Sequence, residues 1–575
     1  MNIRNIFIFL VLLFLIQINL YAATDEERIL EKQRLMEMRN QLEDERRMME
    51  RIQEQIAKEA EKLEKIRLEE EKEAGEEEEM VFVKDIEVEK SKKVSKKKVK
   101  KIIKEFKNKN LIKTDIENIQ TRLQNLSLEK GYVTTRVYID FSKIDEGILR
   151  YVYSEGILEK IVFADGNKHS LEKFTAFPFT KNRILNIRRI EQGMEQMNRL
   201  ASNNVTMYIK TGETDSGTII EIQNYKSKKN SLNIGVDNSG TKGAEYRYSF
   251  GLENDNILRL NDSFYLNYSA GIEDKEIYNR NLYMSLGIPF GYWRVNSSFS
   301  KSNYMNTIEG FAGKIESKGG TDDLRIGVER ILMRGQFFKT NIGAGINKKE
   351  TKSYLNGSKL DVGSRVLVPM EIYLDNTFYM KQGSIFIKFN YIESLDRFGA
   401  RKDEAGIQDG DPKAQYKKLG FNGYMSRRFS VFKFPINYLI SARGQYSYDD
   451  LFGSEQFSPS NRALKDGSIS AETGYSISND LKTSLINILP FFKNQLINKI
   501  LNSMTIGVFY DIGFIYPKTY GDKARFEGYG LTLGGYIVEY VSFSCSYGNT
   551  MKVPDDLEHE KNVVNASINV SIPLF

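Results

Sequence analysis

Residues 507–516 read GVFYDIGFIY, and their alternating pattern defines the strand from which the fold can be worked out. Counting the residue before the stretch, one face carries only apolar or aromatic side chains: Ile506, Val508, Tyr510, Ile512 and Phe514. Because successive side chains of a strand point to opposite faces, Asp511 lies on the other face, between Phe509 and Gly513. The stretch therefore predicts a wall with an apolar outer surface and an acid that points inward.

The same two-residue period recurs in four other segments, at residues 263–269, 282–288, 384–391 and 541–548. One face of each segment is apolar and the other is mostly small or polar, which is typical of a membrane-spanning β-barrel with lipid outside and water inside. A soluble β-sandwich would alternate in the same way and is the alternative. So many strands exceed a normal sandwich domain, which favours the barrel.

The composition agrees with a barrel. The 575 residues include 43 glycines, 32 tyrosines and 34 phenylalanines, with 28% charged residues and a mean hydropathy of −0.44. These values are too polar for a helical membrane protein, and no run of 18 apolar residues follows the N-terminal segment. A barrel with a wet lumen fits them, because alternate residues of each strand face water.

The sequence offers no residues for metal or covalent chemistry. The single cysteine, Cys545, cannot form an internal disulfide, and His169 and His559 are too far apart in sequence to suggest a metal site. A Gly-x-Ser-x-Gly nucleophile motif is also absent. We therefore expect no enzyme activity and no cofactor. The net charge of +6 is modest for 66.3 kDa and gives no reason to expect a nucleic-acid partner.

The N-terminal segment resembles a targeting signal. Arg4 is a basic residue ahead of an apolar run from Ile6 to Ile16, and Leu20-Tyr21-Ala22 is a small-residue ending. We predict a cleaved signal peptide over residues 1–22, since the apolar run is shorter than the roughly 20 residues that a spanning helix needs.

A charged segment follows at residues 23–80. It contains no proline between residues 24 and 79, and apolar residues recur at seven-residue spacing: Leu35, Leu42, Met49, Ile56 and Leu63. A second apolar seam is interrupted by Glu45 and Glu59. The pattern predicts a long helix with an imperfect coiled-coil stripe, and a single solvated helix is the alternative.

Two similar modules come next, at residues 81–154 and 155–225. The first begins with a strand at 81–88, and its second helix carries the apolar stripe Ile116, Ile119, Leu123 and Leu126. The second module contains a helix with Ile190, Met194 and Met197 on one face. Both follow the order β-α-α-β-β, which predicts a tandem repeat of about 70 residues.

These modules resemble the polypeptide-transport-associated (POTRA) domains of two-partner secretion transporters, the TpsB family. The resemblance is carried by LEKGYVTTRVYI (128–139), GILRYVYSEGILEKIVF (147–163) and RRIEQGMEQMNRL (188–200), and it continues in VDNSGTKGAEYRYSFGLENDNILRLNDSFYLNYS (236–269). It implies two periplasmic α+β POTRA domains and a transmembrane antiparallel barrel of about 16 strands at residues 226–575. It also implies an N-terminal helix that can plug the pore.

The resemblance further implies a lock inside the pore. Asp511 stands in a segment similar to the family's F-x-D-x-G motif, with Phe509 and Gly513, and in the family this acid pairs with an arginine of a long loop that folds into the barrel. The corresponding loop is at residues 451–481, but the family's Val-Arg-Gly-aromatic tetrad is absent. Arg462 and Lys465 are the two candidate cations. Arg462 is favoured, because a guanidinium grips a carboxylate at two points.

The function that the resemblance implies is the export of a partner protein across the outer membrane of a Gram-negative-type bacterium. The client would be an unfolded secreted protein of the adhesin or cytolysin type, captured by the POTRA domains. Outer-membrane lipids and the machinery that inserts barrels would be further partners. The alternatives are an insertase that assembles other barrels, which typically carries more POTRA repeats, and a passive porin with a periplasmic tether.

Overall fold

The computed structural model describes residues 80–574 apart from 90, 92, 167–169, 179–181, 240–244, 275–276, 311–312, 362, 433, 465–469, 490–493, 520–521 and 555–560. The predicted signal peptide and the predicted charged helix up to residue 79 lie outside the described residues. Among those described, no helix is both long and apolar enough to cross a bilayer.

The first POTRA domain packs two helices against a three-stranded sheet. Its elements are β1 (Val81–Val83), β2 (Asp85–Val88), α1 (Lys96–Phe106), β3 (Lys109–Leu111), α2 (Lys113–Glu129), β4 (Arg136–Asp140), a 3₁₀ turn (Ile144–Glu146) and β5 (Ile148–Ser154). The sheet order is β2-β5-β4, and β1 pairs separately with β3. The predicted stripe of α2 is buried against this sheet. Gly131 ends the helix region with a φ of +89°, which favours glycine.

The second POTRA domain has a four-stranded sheet of order β7-β6-β9-β8. Its elements are β6 (Ile157–Phe163), α3 (Ser170–Ala176), β7 (Arg183–Ile184), α4 (Ile187–Asn198), β8 (Val205–Thr211) and β9 (Gly217–Asn224). The predicted face of α4, with Ile190, Met194 and Met197, is buried in its core.

The structure corrects the predicted order of elements in both domains. A strand precedes the second helix in each, and these strands, β3 and β7, are too short to show a periodic pattern. The predicted strand at 81–88 is two strands, because the backbone turns at Lys84, whose N–H donates to the Gly147 carbonyl over 2.8 Å. The β1 part then pairs with β3 and the β2 part with β5.

The remaining chain forms a closed antiparallel barrel. Its long strands are β10 (Asn230–Asp237), β11 (Arg247–Asp255), β12 (Ser263–Asp274), β13 (Ile277–Phe290), β14 (Trp293–Gly310), β15 (Gly313–Arg334), β16 (Phe338–Leu355), β19 (Pro369–Met380), β20 (Gly383–Ser394), β21 (Lys417–Val431), β22 (Phe434–Ser447), β23 (Thr473–Ser484), β24 (Met504–Tyr516), β25 (Ala524–Val538), β26 (Val541–Lys552) and β27 (Asn562–Pro573). Two short strands, β17 (Ser358–Lys359) and β18 (Arg365–Leu367), pair with β16, and the helix α5 (Gln495–Ser503) links β23 to β24. Pairing of β10 with β27 closes the ring, so the predicted 16-stranded barrel is confirmed.

The second POTRA domain is fixed to one end of the barrel. Gly291, in the turn between β13 and β14, makes three hydrogen bonds to the domain. Its N–H donates to the Thr175 carbonyl over 2.7 Å. Its carbonyl accepts from the side chains of Gln192 and Gln196 over 3.1 and 3.0 Å. Gly291 has a φ of +59°, and a Cβ there would lie 2.7 Å from the ring of Pro178. A glycine is therefore required where this turn meets the domain.

Buried charges complete this attachment. Glu195 of α4 forms ion pairs with Arg334, at the end of β15, and with Lys339, whose Nζ lies 3.0 Å from Oε1. All three side chains are almost inaccessible to solvent. The turns at this end therefore face the POTRA domains, and the connection from β22 to β23 begins at the opposite end of the barrel.

Candidate functional site

The site is built on the inner face of β24. Asp511 has no exposed surface, and it lies opposite Ser478 of β23 and Gly528 of β25. On the outer face, Val508 and Tyr510 are exposed at the barrel surface, as strand parity predicts for lipid-facing residues. The acid therefore points into the lumen, and something must compensate its buried charge.

A loop from the opposite end of the barrel reaches this acid. It leaves β22 after Ser447 and returns at Thr473, and its two arms are joined by backbone hydrogen bonds between Phe457 and Ala471, of 2.7 and 3.0 Å. The predicted loop, residues 451–481, was too long at its C-terminal end. Residues 473–481 belong to β23, because they pair with β22 and β24 in a regular register.

Arg462, at the tip of this loop, grips Asp511 at three points. The guanidinium Nε donates to Oδ2 over 2.9 Å and Nη2 donates to Oδ1 over 2.7 Å, while the Arg462 backbone N–H also donates to Oδ2 over 2.9 Å. Such a bidentate geometry is the strong form of a charge-assisted hydrogen bond. Lys465, the other candidate cation, lies outside the described residues.

Asp480 is a second acid at Arg462 that the sequence analysis did not select. Its Oδ1 accepts from Arg462 Nη1 over 2.7 Å and lies 3.2 Å from Lys482 Nζ. Two carboxylates thus face two cations, so the formal charge of the cluster is balanced. Strand parity along β23 could have indicated this position. Asp480 is two residues from Ser478, which lies opposite Asp511, so the two side chains share the inner face.

Phe509 and Gly513, the two other predicted site residues, shape the space around the arginine. The Arg462 guanidinium carbon lies 4.1 Å from the centre of the Phe509 ring, which is a cation–π distance. Gly513 leaves room for the loop, because a Cβ on this glycine would lie 2.5 Å from Cβ of Pro459. Both residues therefore contact the loop and not the acid itself.

Glycines of the neighbouring strands extend this groove. A Cβ on Gly528 would lie 2.4 Å from Cβ of Ala463, and one on Gly548 would lie 2.7 Å from its Cα. The loop tip is also bonded to the wall beyond, since the Ala463 carbonyl accepts from Thr550 over 2.6 Å and the Arg462 carbonyl accepts from Asn565 over 3.0 Å. The tip is therefore seated against β24 to β27.

The arrangement is a loop held against the inner wall of the barrel by an ion pair. Within the described part of the chain, no group of three or more His, Cys, Asp or Glu side chains could hold a metal ion. A closed 16-stranded barrel with two POTRA domains at one end and a loop fixed in its lumen defines an outer-membrane transporter of the POTRA–barrel class.

Comparison with known families identifies the chain more narrowly. The family described as "Haemolysin secretion/activation protein ShlB/FhaC/HecB" matches residues 216–535, and the families "POTRA domain, ShlB-type" and "POTRA domain" match residues 81–156 and 157–210. Because the first match covers more than half of the chain, the protein belongs to the ShlB/FhaC/HecB family of haemolysin secretion/activation proteins. The predicted two-partner secretion transporter, its outer-membrane location and its periplasmic POTRA domains are thereby confirmed.

Individual relatives agree. The chain is 26% identical over 465 residues to the outer membrane transporter CdiB of Dickeya dadantii, with 79% of this chain and 80% of that protein covered. It is 26% identical to the hemolysin transporter protein HpmB of Proteus mirabilis, covering 73% of each. Its fold matches the structure of CdiB from Escherichia coli with a TM-score of 0.78 and 25% identity, over 87% of this chain and 92% of that chain.

Proposed function

We propose that this transporter captures an unfolded client in the periplasm on the edges of its POTRA sheets and passes it through the barrel after the loop leaves the lumen. The observation that carries this proposal is that the chain combines a POTRA domain attached to the barrel with a loop that occupies the barrel lumen. The second POTRA domain is fixed to the turns of the barrel, and the lumen behind those turns is occupied by a loop held through Arg462 and Asp511.

Capture is supported by the edges of both sheets. In the described part of the chain, β4 and β8 each pair with a strand on one side only. Exposed apolar side chains accompany them: Tyr138 and Phe141 at β4, and Tyr208 and Ile209 on β8. An extended client segment can add to such an edge, since backbone pairing supplies affinity and the exposed side chains supply selectivity.

Release of the loop is the second step. The loop tip contacts the inner wall through Arg462 and Ala463, so an extended polypeptide cannot use the same space while the tip is seated. The three contacts to Asp511 are all made by one residue, so their loss would remove the strongest attachment of the tip in one event. We propose that Arg462 and Asp511 act as a pore lock, with Phe509 and Gly513 shaping its seat.

The client is a secreted protein. One of the named relatives, HpmB, is a hemolysin transporter protein. For this chain we propose a client of the adhesin or cytolysin type. Outer-membrane lipids around the barrel and the machinery that inserts barrels into the membrane are further proposed partners. A passive porin would have no use for a POTRA domain held by buried charges, and an insertase is the other alternative.

Photo-crosslinking tests the capture step. A photoreactive residue placed at Tyr208 or Tyr138 should form an adduct with the exported client protein, because both positions lie on edge strands of the described sheets. Lys98 is the matched control, since its side chain is 59% exposed but lies on the helix α1 and not on a strand. Equal adducts at all three positions would contradict edge capture, and adducts with nascent barrel proteins would favour the insertase.

A further inference from the structure

A second cluster of buried charges holds the base of the same loop, far from the tip. Glu455 ends a 3₁₀ turn at Gly453–Glu455, directly after the loop leaves β22, and it is 9% exposed. We call this cluster the mouth clamp; it consists of Glu455, Lys349, Lys418 and Tyr416. None of its members was selected by the sequence analysis.

The carboxylate of Glu455 is surrounded by donors. Lys349 Nζ lies 3.2 Å from Oε1, Lys418 Nζ lies 3.2 Å from Oε2, and the Tyr416 hydroxyl donates to Oε2 over 2.7 Å. Lys418 Nζ also donates to the Glu455 carbonyl over 2.8 Å, and the Gln445 side chain donates to that carbonyl over 3.0 Å. Glu455 is thus bonded through its side chain and its backbone.

The clamp connects strands that are not neighbours. Lys349 lies on β16 and Lys418 on β21, and the barrel order places β19 and β20 between them. Glu455 therefore spans part of the lumen instead of following the wall. The tip of the loop is seated farther round the barrel, on β24 to β27. Between the two attachments the loop stays near the wall, since the Arg443 side chain of β22 donates to the Ser458 carbonyl and Pro459 lies against Gly513 of β24.

Apolar packing covers the clamp on the side of the loops that connect the strands. Phe452 and Leu451 pack with Leu367, Ala414 and Tyr416 in one buried cluster. The guanidinium carbons of Arg365 and Arg401 lie 4.3 and 6.0 Å from the centre of the Phe452 ring. This packing joins the loop to the β18 region and to the connection between β20 and β21, and it forms a lid over the far mouth of the barrel.

The charges make Glu455 the member on which the clamp depends. Burial alone would raise the pKa of Glu455, but Lys349 and Lys418 hold it well below its usual range, so the carboxylate stays ionised. One anion faces two buried cations. If the charge of Glu455 is removed, both ammonium groups lose their attraction to it and their mutual repulsion counts more, in a place shielded from water.

We propose that the mouth clamp is a second closure of the pore, independent of the Arg462–Asp511 lock, and that Glu455 is the positioning residue that holds the loop base across the far mouth. The proposal rests on the proposed export function, since both closures must open before a client can pass. It assigns the loop two separate attachments, of which the family motif describes only the one at the tip.

The test is single-channel recording of the full-length protein in planar bilayers without any client. Glu455→Gln should raise the frequency of spontaneous openings at least about tenfold, because breaking a buried ion pair is strongly destabilising. Glu404→Gln is the matched control: it removes one acid from a neighbouring loop, where that side chain is 84% exposed, and should leave the openings unchanged.

Two further variants separate the clamp from a general loss of folding. The triple variant Glu455→Leu, Lys349→Met, Lys418→Met removes all three charges and should return the channel close to its original quiet state. Tyr416→Phe removes one hydrogen bond to Glu455 and should raise the opening frequency less than Glu455→Gln does. This variant still tests the clamp if Glu455→Gln fails to assemble. Unchanged openings in both Glu455→Gln and Tyr416→Phe would overturn the clamp. Because the recording needs no client, that result would leave edge capture and export untouched.

Discussion

Removing Arg462 and removing Asp511 should not have equal effects, although the two residues form one ion pair. Arg462→Ala removes the two guanidinium hydrogen bonds that Asp511, with no exposed surface, accepts from Arg462. The backbone N–H of residue 462 survives the substitution only if the tip stays seated. Asp511→Ala leaves the guanidinium 2.7 Å from Asp480, which still compensates its charge.

The magnitudes follow from this difference. Breaking a buried pair so that one charge is left uncompensated costs about 3–5 kcal/mol. We assign that range to Arg462→Ala, whose side chain is 22% exposed in the pair. Asp511→Ala loses charge-assisted hydrogen bonds but keeps a counter-charge, so we expect roughly 1.5–3 kcal/mol. Since 1.4 kcal/mol is about tenfold, the undocked loop should become roughly a hundredfold or more populated in Arg462→Ala, and about tenfold to a hundredfold in Asp511→Ala.

The assay is proteinase K cleavage of the loop in intact cells, combined with secretion of the client. Both variants should assemble as barrels, and cleavage between residues 453 and 472 should be faster in Arg462→Ala than in Asp511→Ala. Asp480→Asn is the control for the second acid, and it should have the smallest effect, because Asp511 then still pairs with Arg462 at three points.

Several results would refute this reasoning. Cleavage and secretion equal to those of the unchanged protein in both variants would show that the pair does not hold the loop. Stronger cleavage in Asp511→Ala than in Arg462→Ala would show that Asp480 does not compensate the arginine. A failure of Lys465→Ala with normal behaviour of Arg462→Ala would transfer the lock to Lys465.

Two further predictions concern the seat of the loop and the attachment of the second POTRA domain. Gly548→Ala should free the loop tip, since the added Cβ would lie 2.7 Å from Cα of Ala463, whereas Gly327→Ala meets its nearest atom at an ordinary 3.4 Å and should not; loop cleavage measures both. Glu195→Gln should accelerate hydrogen exchange in α4 roughly a hundredfold, because it removes the buried anion that pairs with both Arg334 and Lys339, while Glu221→Gln, which removes one side of a more exposed pair, should not change it. Burial alone would raise the pKa of Glu195, but Arg334 and its neighbouring lysine hold the pKa well below its usual range, so the attachment is present above the usual glutamate pKa. The protection of the α4 amides against exchange, relative to unprotected amides at the same pH, should therefore stay constant between pH 8 and about 5 and should fall only at more acidic pH.

The sequence determined the features that depend on neighbours along the chain. Strand parity placed Asp511 inside the barrel, and helical periodicity identified the buried faces of α2 and α4. These inferences succeed because the side-chain direction in a strand or helix repeats every two or 3.6 residues, whatever the rest of the fold does. Asp480 was not selected, although the same parity argument applies to it, since it shares a face with Ser478 on β23.

The polar face of α4 shows what periodicity could not determine. Glu191, Gln192, Glu195 and Gln196 follow the pattern of a solvated face, yet all four are buried. Gln192, Glu195 and Gln196 have partners at one end of the barrel, about 100 residues or more away in sequence. A polar face is exposed or buried according to what is docked on it, and only the tertiary structure decides that.

The contacts of the mouth clamp depend on closure of the whole barrel. Lys349, Lys418 and Glu455 meet because the strand order and register of the whole barrel bring β16, β21 and the loop to one point in the lumen. No local pattern distinguishes these lysines from the many others of the chain. The sequence by itself therefore determined which faces of each element are apolar and that Asp511 points inward. The tertiary structure alone decided which distant charges meet, because a contact across the lumen depends on the summed registers of many strand pairs and not on any one of them.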